Sequence, residues 1–248
     1  MPRSAPVALA AATAFSAMAW AVRGRSSSLF GPSVWRGPVG RKTIALTFDD
    51  GPSTATPALL ELLGQYHVPA TFFQIGINAL SLPDISRAVL AAGHEIGNHS
   101  HTHPNFALQR PSYIGPEFER AQHAIATITG QAPALLRAPF GVRWFGFRDM
   151  QQRLGLQGVM WSIIGRDWKL PARAIARRVL SRASDGDIIC LHDGRGALAG
   201  NPRGNLKDSV FQSGIEKSTV EAVRKILPEL LEKGYHFETV TQLLCQMK

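Results

Sequence analysis

The sequence predicts an α/β chain whose parallel strands lie inside and whose helices lie outside, closed into a barrel rather than spread as an open sheet. Three observations predict it. From residue 41 onward short apolar runs alternate with amphipathic segments, and repeated strand–helix alternation makes strands parallel with helices on their faces. About seven such units follow one another, a number suited to a barrel. No Gly-rich dinucleotide fingerprint of a doubly wound open sheet occurs.

Each element has its own warrant. Residues 44–48 are an apolar strand run, and 56–66 a helix with Pro57 at its start, where a missing N–H costs nothing. Residues 70–75, "ATFFQI", form a second strand, and 83–92 a helix that Gly93 ends. Then come a short strand at 94–97, a helix at 116–129 opened by Pro116, a strand stub at 135–136 and a short helix at 147–154. "QGVMWSI" at 157–163 and "DIICL" at 187–191 read as strands with a helix at 172–183 between them. A long helix at 215–233 and a last strand at 235–238 complete the series.

The chain has 248 residues, and its 45% hydrophobic and 18% charged content is that of a globular protein, which excludes a disordered chain. No composition break falls inside 41–248, so this stretch is expected to be one domain. Residues 7–22, "VALAAATAFSAMAWAV", are apolar and uncharged between Arg3 and Arg23, so residues 1–25 are expected to be a signal peptide or an uncleaved membrane anchor. Residues 26–40, rich in Ser, Gly and Pro, are expected to be a linker. An exported, extracytoplasmic or membrane-anchored location at the cell envelope follows. The net charge of +9, from 27 basic and 18 acidic residues, suits an anionic envelope or membrane surface. The basic residues are scattered without a nucleic-acid-binding motif, so nucleic acid is not an expected partner, and a monomer is expected. Cys190 and Cys245 are open to pairing in an oxidising compartment, although Cys190 in its apolar strand reads as a small core residue.

In such folds reactive groups gather where strands end. Asp49 and Asp50 follow the first strand, and "GNHSHTHP", with His99, His101 and His103, follows the third. Next come "RAPFG" at 137–141, "GRDW" ending at Asp167 and Trp168, and His192-Asp193-Gly194 after "DIICL". His99 and His103 are at i and i+4, so one helical turn would face both imidazoles to a single ion, while His101 would point elsewhere. Two histidines and an aspartate with open positions describe a catalytic zinc site, and the same set also describes non-haem iron oxygenases. A cation explains the aspartate pair, because it relieves the repulsion of two adjacent carboxylates.

"TFDDGP", "GHEIGNHSHTHP", "RAPFG", "DW" and "LH", in this order, resemble the motifs of the polysaccharide deacetylases of NodB-homology type, carbohydrate esterase family 4, over residues 41–245. The resemblance implies a distorted (β/α)7 TIM-like barrel, one divalent ion, Zn2+ with Co2+, Ni2+ or Mn2+ as substitutes, and removal of N-acetyl groups from peptidoglycan or a chitin-like glycan. It implies Asp49 as base, Arg137 as its partner, and Asp50, His99 and His103 as metal ligands. His192 would be the acid oriented by Asp167, Trp168 and Leu191 would line the acetyl pocket, and the Phe140 N–H would face the developing oxyanion. Ile164 stands where the family often has Asp, Cys190 where it often has Leu, and Phe140 where Tyr is common. Other readings of the same set are an O-acetyl xylan esterase, a lipid-linked sugar deformylase, and a non-catalytic glycan-binding module. His94 and Glu95 read as structural, Trp144, Phe145 and Phe147 equally as sugar platforms or loop packing, and the Gly-rich stretch 194–214 as a shaper of the cleft.

Overall fold

The computed structural model describes residues 4–196 and 213–245, with side chains described for 12–196 and 217–245. The element order is α1 (Ser4–Arg23), β1 (Ser33–Val34), β2 (Thr43–Asp49), α2 (Thr56–Gln65), β3 (Thr71–Gln74), α3 (Gly76–Ser81), α4 (Pro83–Ala91), β4 (Glu95–Asn98), α5 (Pro111–Thr129) and β5 (Leu135–Leu136). A 3-10 turn (Pro139–Gly141) leads to α6 (Phe147–Leu154), β6 (Gln157–Val159), β7 (Ile163–Ile164), α7 (Ala172–Leu180), β8 (Ile188–His192), α8 (Ser213–Glu232), β9 (His236–Phe237) and α9 (Val240–Cys245).

The strands lie in the order β1-β6-β5-β4-β3-β2-β8-β7, every pair parallel, with β9 beside the start of β2. Between β6 and β7 only Met160, Trp161 and Ser162 intervene, though the two strands lie far apart along that order. Four residue steps span at most about 14 Å, so the sheet must curl until its two sides approach. The seam is filled by the stretch expected to be a linker. Ser33 and Val34 pair with Gly158 and Val159, the Val34 carbonyl accepts from the Met160 amide at 2.6 Å, and Arg36 bridges Asp187. Residues 33–36 are therefore wall rather than tether.

Alternation along each strand separates two layers. Ile44, Leu46 and Phe48 of β2 face outward into an apolar cluster with Leu59, Leu62 and Leu63 of α2 and Val223, Ile226 and Leu227 of α8. Ala45, Phe73, Leu135, Val159 and Ile188 face inward, where Val240 and Leu243 of α9 join them. The Val240 amide donates to Thr71 Oγ1 at the first residue of β3, so α9 plugs the end where strands begin and leaves the other end free for chemistry.

Two sequence expectations need correction. The run 157–163 is two strands, because its halves pair with different neighbours, β5 and β8, across the seam. The helix expected to open at Pro116 opens at Pro111; both prolines are start signals, and Pro116 lies inside the helix, where its missing N–H leaves one carbonyl unpaired within the ladder. The short helices α3 and α9 carried too few periods to be read from sequence.

The plug has a measurable consequence. Leu243→Ala removes a fully buried side chain and should cost about 2–5 kcal/mol in urea unfolding; a loss below about 0.5 kcal/mol would show that α9 does not close the barrel.

Candidate active site

Register brings the reactive side chains to one level. Asp49 stands opposite Phe73 of β3 and His192 of β8, Gln74 opposite Asn98, and Asn98 opposite Leu136, so His99 and Arg137 each follow at the same end of their strands.

Arg137 is fully buried and donates through Nη1 to Asp49 Oδ1 at 2.6 Å and to Thr47 Oγ1 at 2.7 Å. Its other nitrogens reach the carbonyls of Val159 and Met160, and the guanidinium lies 4.1 Å from the Phe73 ring centroid. Asp49 thus presents only its second oxygen, Oδ2, which lies 4.0 Å from His99 Nε2 and 3.4 Å from Cys190 Sγ.

Asp50 Oδ1 lies 3.3 Å from His99 Nε2 and 3.0 Å from His103 Nε2. Despite these distances it makes no hydrogen bond of acceptable angle, although it is buried. Three donor atoms that crowd one point without bonding to each other are arranged as ligands are, and this donor set fits a divalent cation. Burial pushes the Asp50 carboxyl up, but His103 and His99 outweigh it and hold it well below the usual carboxylate range. His99 Nδ1 is 2.8 Å from the Arg137 carbonyl; a proton there leaves Nε2 free to ligate.

The two histidines do not share a helical turn, as their spacing suggests. Residues 99–103 form a loop kinked at Ser100 (φ 65°) and His103 (φ 58°), and it is this double left-handed kink that brings the rings to 4.9 Å. The loop is tied down by side chains that sequence reading missed. Asn98 Oδ1 accepts from the Ser100 amide, and buried Glu117 accepts from the amide and hydroxyl of Thr102. His101 turns away against Gly76.

Across the mouth, Asp167 holds His192 twice, accepting from its backbone amide at 2.7 Å and lying 2.9 Å from Nδ1, with Thr219 completing the carboxylate. Burial works against a charged His192 ring, but Asp167, with Asp50 and Asp49 beyond it, outweighs burial and raises its pKa to about 9. The Trp168 ring, partly exposed, packs edge-on against His192 at 5.2 Å. Phe140 sits in the 3-10 turn with a left-handed φ of 57°, half exposed, its ring edge-on to His103 with the centroids 4.7 Å apart.

Asp49, Cys190 and His192 also meet the distance condition for a metal triad. Burial, then the Asp49 charge, push the Cys190 pKa well above its ordinary value, and its Sγ donates toward Asp49 Oδ2. Cys190 and exposed Cys245 are both free.

Leu191 does not line the mouth. Alternation along β8 turns it outward, fully buried in the layer between sheet and helices, and turns Cys190 and His192 inward. Ile164 of β7 pairs with Cys190 of β8, and the Arg178 guanidinium donates to the Ile164 carbonyl. His94 is structural: Nδ1 accepts from the Ala70 amide, and burial lowers its pKa to about 4. Glu95 likewise binds Thr71 and Thr241. Phe147 is core with Phe106 and Phe118, while Trp144 and half-exposed Phe145 pack on Phe30. Most of the stretch 194–214 lies outside the described residues; Gly196, within them, rests against His103.

A family model described as polysaccharide deacetylase matches residues 36–159. A chitooligosaccharide deacetylase of Bradyrhizobium sp. (strain ANU 289) is 35% identical over 207 residues, covering 82% of this chain and 91% of its own. The chain belongs to the polysaccharide deacetylases, carbohydrate esterase family 4. A peptidoglycan-N-acetylglucosamine deacetylase of Bacillus cereus is 37% identical over 214 residues, covering 85% of this chain and 92% of its own. The crystal structure of the Bc1960 peptidoglycan N-acetylglucosamine deacetylase in complex with 4-naphthalen-1-yl-N-oxidanyl-benzamide has a TM-score of 0.75 at 30% identity, covering 85% of this chain and 92% of that one. The distorted barrel of this deacetylase family is the fold described above.

Two glycines interlock the first and last motifs. A methyl on Gly51 would overlap the Asp193 carboxylate, and one on Gly194 would overlap the Asp50 carbonyl. Asp193, which sequence reading left without a role, accepts from Thr56 at 2.6 Å and donates its amide to the Asp49 carbonyl. Burial raises its carboxyl to about 7, with Asp50 and Asp49 acting in the same direction. Gly194→Ala should therefore displace Asp50 and weaken divalent-ion binding by roughly tenfold or more in equilibrium dialysis; unchanged affinity would show that this contact does not position the ligand.

Proposed function

We propose that the chain hydrolyses the N-acetyl groups of a glucosamine-based glycan, peptidoglycan or a chitin-like oligosaccharide. The observation that carries this reading is the pairing, across one mouth, of a carboxylate restrained by Arg137 with an imidazole restrained by Asp167, on either side of the Asp50–His99–His103 cluster. The names of its relatives, a chitooligosaccharide and a peptidoglycan deacetylase, support the substrate class.

Asp50, His99 and His103 would hold the ion, and two imidazoles with one carboxylate favour Zn2+. Such an ion supplies Lewis-acid chemistry, polarising the acetyl carbonyl and acidifying water. Asp49 receives the water proton at Oδ2, since Oδ1 is committed to Arg137. The Phe140 N–H, at the mouth, suits the charge that builds on the carbonyl oxygen. His192 donates from Nε2 to the departing sugar nitrogen, because Asp167 engages Nδ1 and an amide anion does not leave unprotonated. Acetate and a free amine result. An ester's alkoxide depends less on a proton donor to depart than an amide nitrogen does, and a glycan-binding module has no use for base and acid together, so this geometry favours amide hydrolysis.

Acetate release from chitooligosaccharides and peptidoglycan should be measurable and should cease with a chelator. Asp49→Asn should retain bound metal and lose at least about 100-fold in kcat, the share of a general base; near-native turnover in that variant would remove Asp49 from the reaction.

The acid assignment fixes a pH dependence. His192 must be protonated to act, so activity should fall as pH rises through about 9. Asp167→Asn removes the charge that raises this pKa, and the alkaline limb of kcat/KM should then move to lower pH. A limb that stays in place would assign the acid to another group.

A further inference from the structure

The N-terminal helix poses a physical problem that the catalytic reading does not touch. Residues 12–20 of α1 are all exposed, with Phe15 at 77%, Met18 at 44% and Trp20 at 56%. Each of those residues keeps a large part of its surface open to solvent. From Ser4 to Val22 the helix carries no charge. An exposed helix that carries no charge over this length and is built mostly of apolar residues favours an apolar surrounding medium.

The root of the same helix is part of the catalytic domain. Ala21 and Val22 are buried in one cluster with Phe30, Val142 and Phe147. The Arg143 amide donates to the Val22 carbonyl at 3.0 Å, and the Arg143 guanidinium, 1% exposed, donates to the carbonyls of Gly24, Ser27 and Gly31 at 2.5, 2.6 and 3.3 Å. Ser27 Oγ donates to the Ala21 carbonyl, and Arg25 reaches the Ser162 carbonyl in the β6–β7 connection. Residues 21–31 are thus held by a buried cation whose donors have no other use, unlike a leader joined by a free linker. Arg143 follows the 3-10 turn of Phe140 by two residues, so the root sits on the rim of the catalytic mouth.

We propose that α1 is retained in the working protein and seats in an anionic phospholipid bilayer, holding the mouth close to the membrane. Exposed Arg23, just beyond the apolar stretch, meets headgroup phosphates, and the net charge of +9 acts in the same direction. The glycan within reach is then the part nearest the membrane.

The test uses the full chain. Vesicles of phosphatidylethanolamine and phosphatidylglycerol are sedimented with the wild-type protein and with Phe15→Asp/Trp20→Asp, and turnover of a soluble chitooligosaccharide is measured on both. The wild type should pellet, and the variant's bound fraction should fall by about tenfold with its turnover unchanged. Intact mass of the cell-made protein should include α1. Wild type left in the supernatant, equal pelleting of the variant, or a chain that begins after Val22 would each overturn the proposal. Pelleting without turnover would instead count against the hydrolase reading and leave this one standing.

Discussion

The buried guanidinium of Arg137 is the interaction on which the site depends. It leaves the end of β5, crosses the barrel interior, and bonds to Thr47 and Asp49 of β2 and to the carbonyls of Val159 and Met160 beyond β6. A charge with no exposure is tolerable only if it is paired and its remaining donors are satisfied, and breaking such a pair costs about 3–5 kcal/mol. The group that completes the barrel mouth is therefore the group that fixes Asp49. Stability and positioning cannot be separated here: the wall closes around Arg137, and Arg137 in turn selects which oxygen of Asp49 faces the cation cluster.

The loops around that mouth carry strain that the frame must hold. Asp50, Ser100, His103, Phe140 and Arg166 all have left-handed φ without being glycine. Such residues cost about 1–3 kcal/mol each and persist only where the surroundings over-determine them. Those surroundings can be named: Asn78 holds the Asp50 carbonyl, Asn98 the Ser100 amide, and Glu117 the Thr102 amide. Glu117 is itself held by Arg120 one turn further along α5. An outer helix with no reacting residue thus keeps the histidine loop in its kinked form.

How far this was legible in the sequence follows from the range of the interactions. Strand ends bearing Asp49, His99, Arg137, Asp167 and His192 could be read, because alternation of elements and unusual polar residues at strand termini are local signals. The histidine pair was read as helical from its spacing alone, and only the Asn98 and Glu117 contacts make the kinked loop visible. The two-residue β1 depends wholly on partners more than a hundred residues away, so its composition resembled a tether. The outward side of Leu191 is a local signal too: with His192 inward, period two places Cys190 inward and Leu191 outward.

The adjacent aspartates are explained by the same geometry. In a regular strand neighbours point to opposite faces, so with Asp49 inward Asp50 would point into the apolar layer beside Phe48. The left-handed backbone of Asp50 (φ 73°) ends the alternation there, and Gly51 lets the chain turn under the Asp193 carboxylate. Both carboxylates then open on the same mouth without sharing a counter-charge: Arg137 answers Asp49, and the pocket of His99 and His103 receives Asp50. Like charges in sequence are thereby assigned to different partners in space, which is the condition for one to exchange protons while the other stays ionised as a ligand.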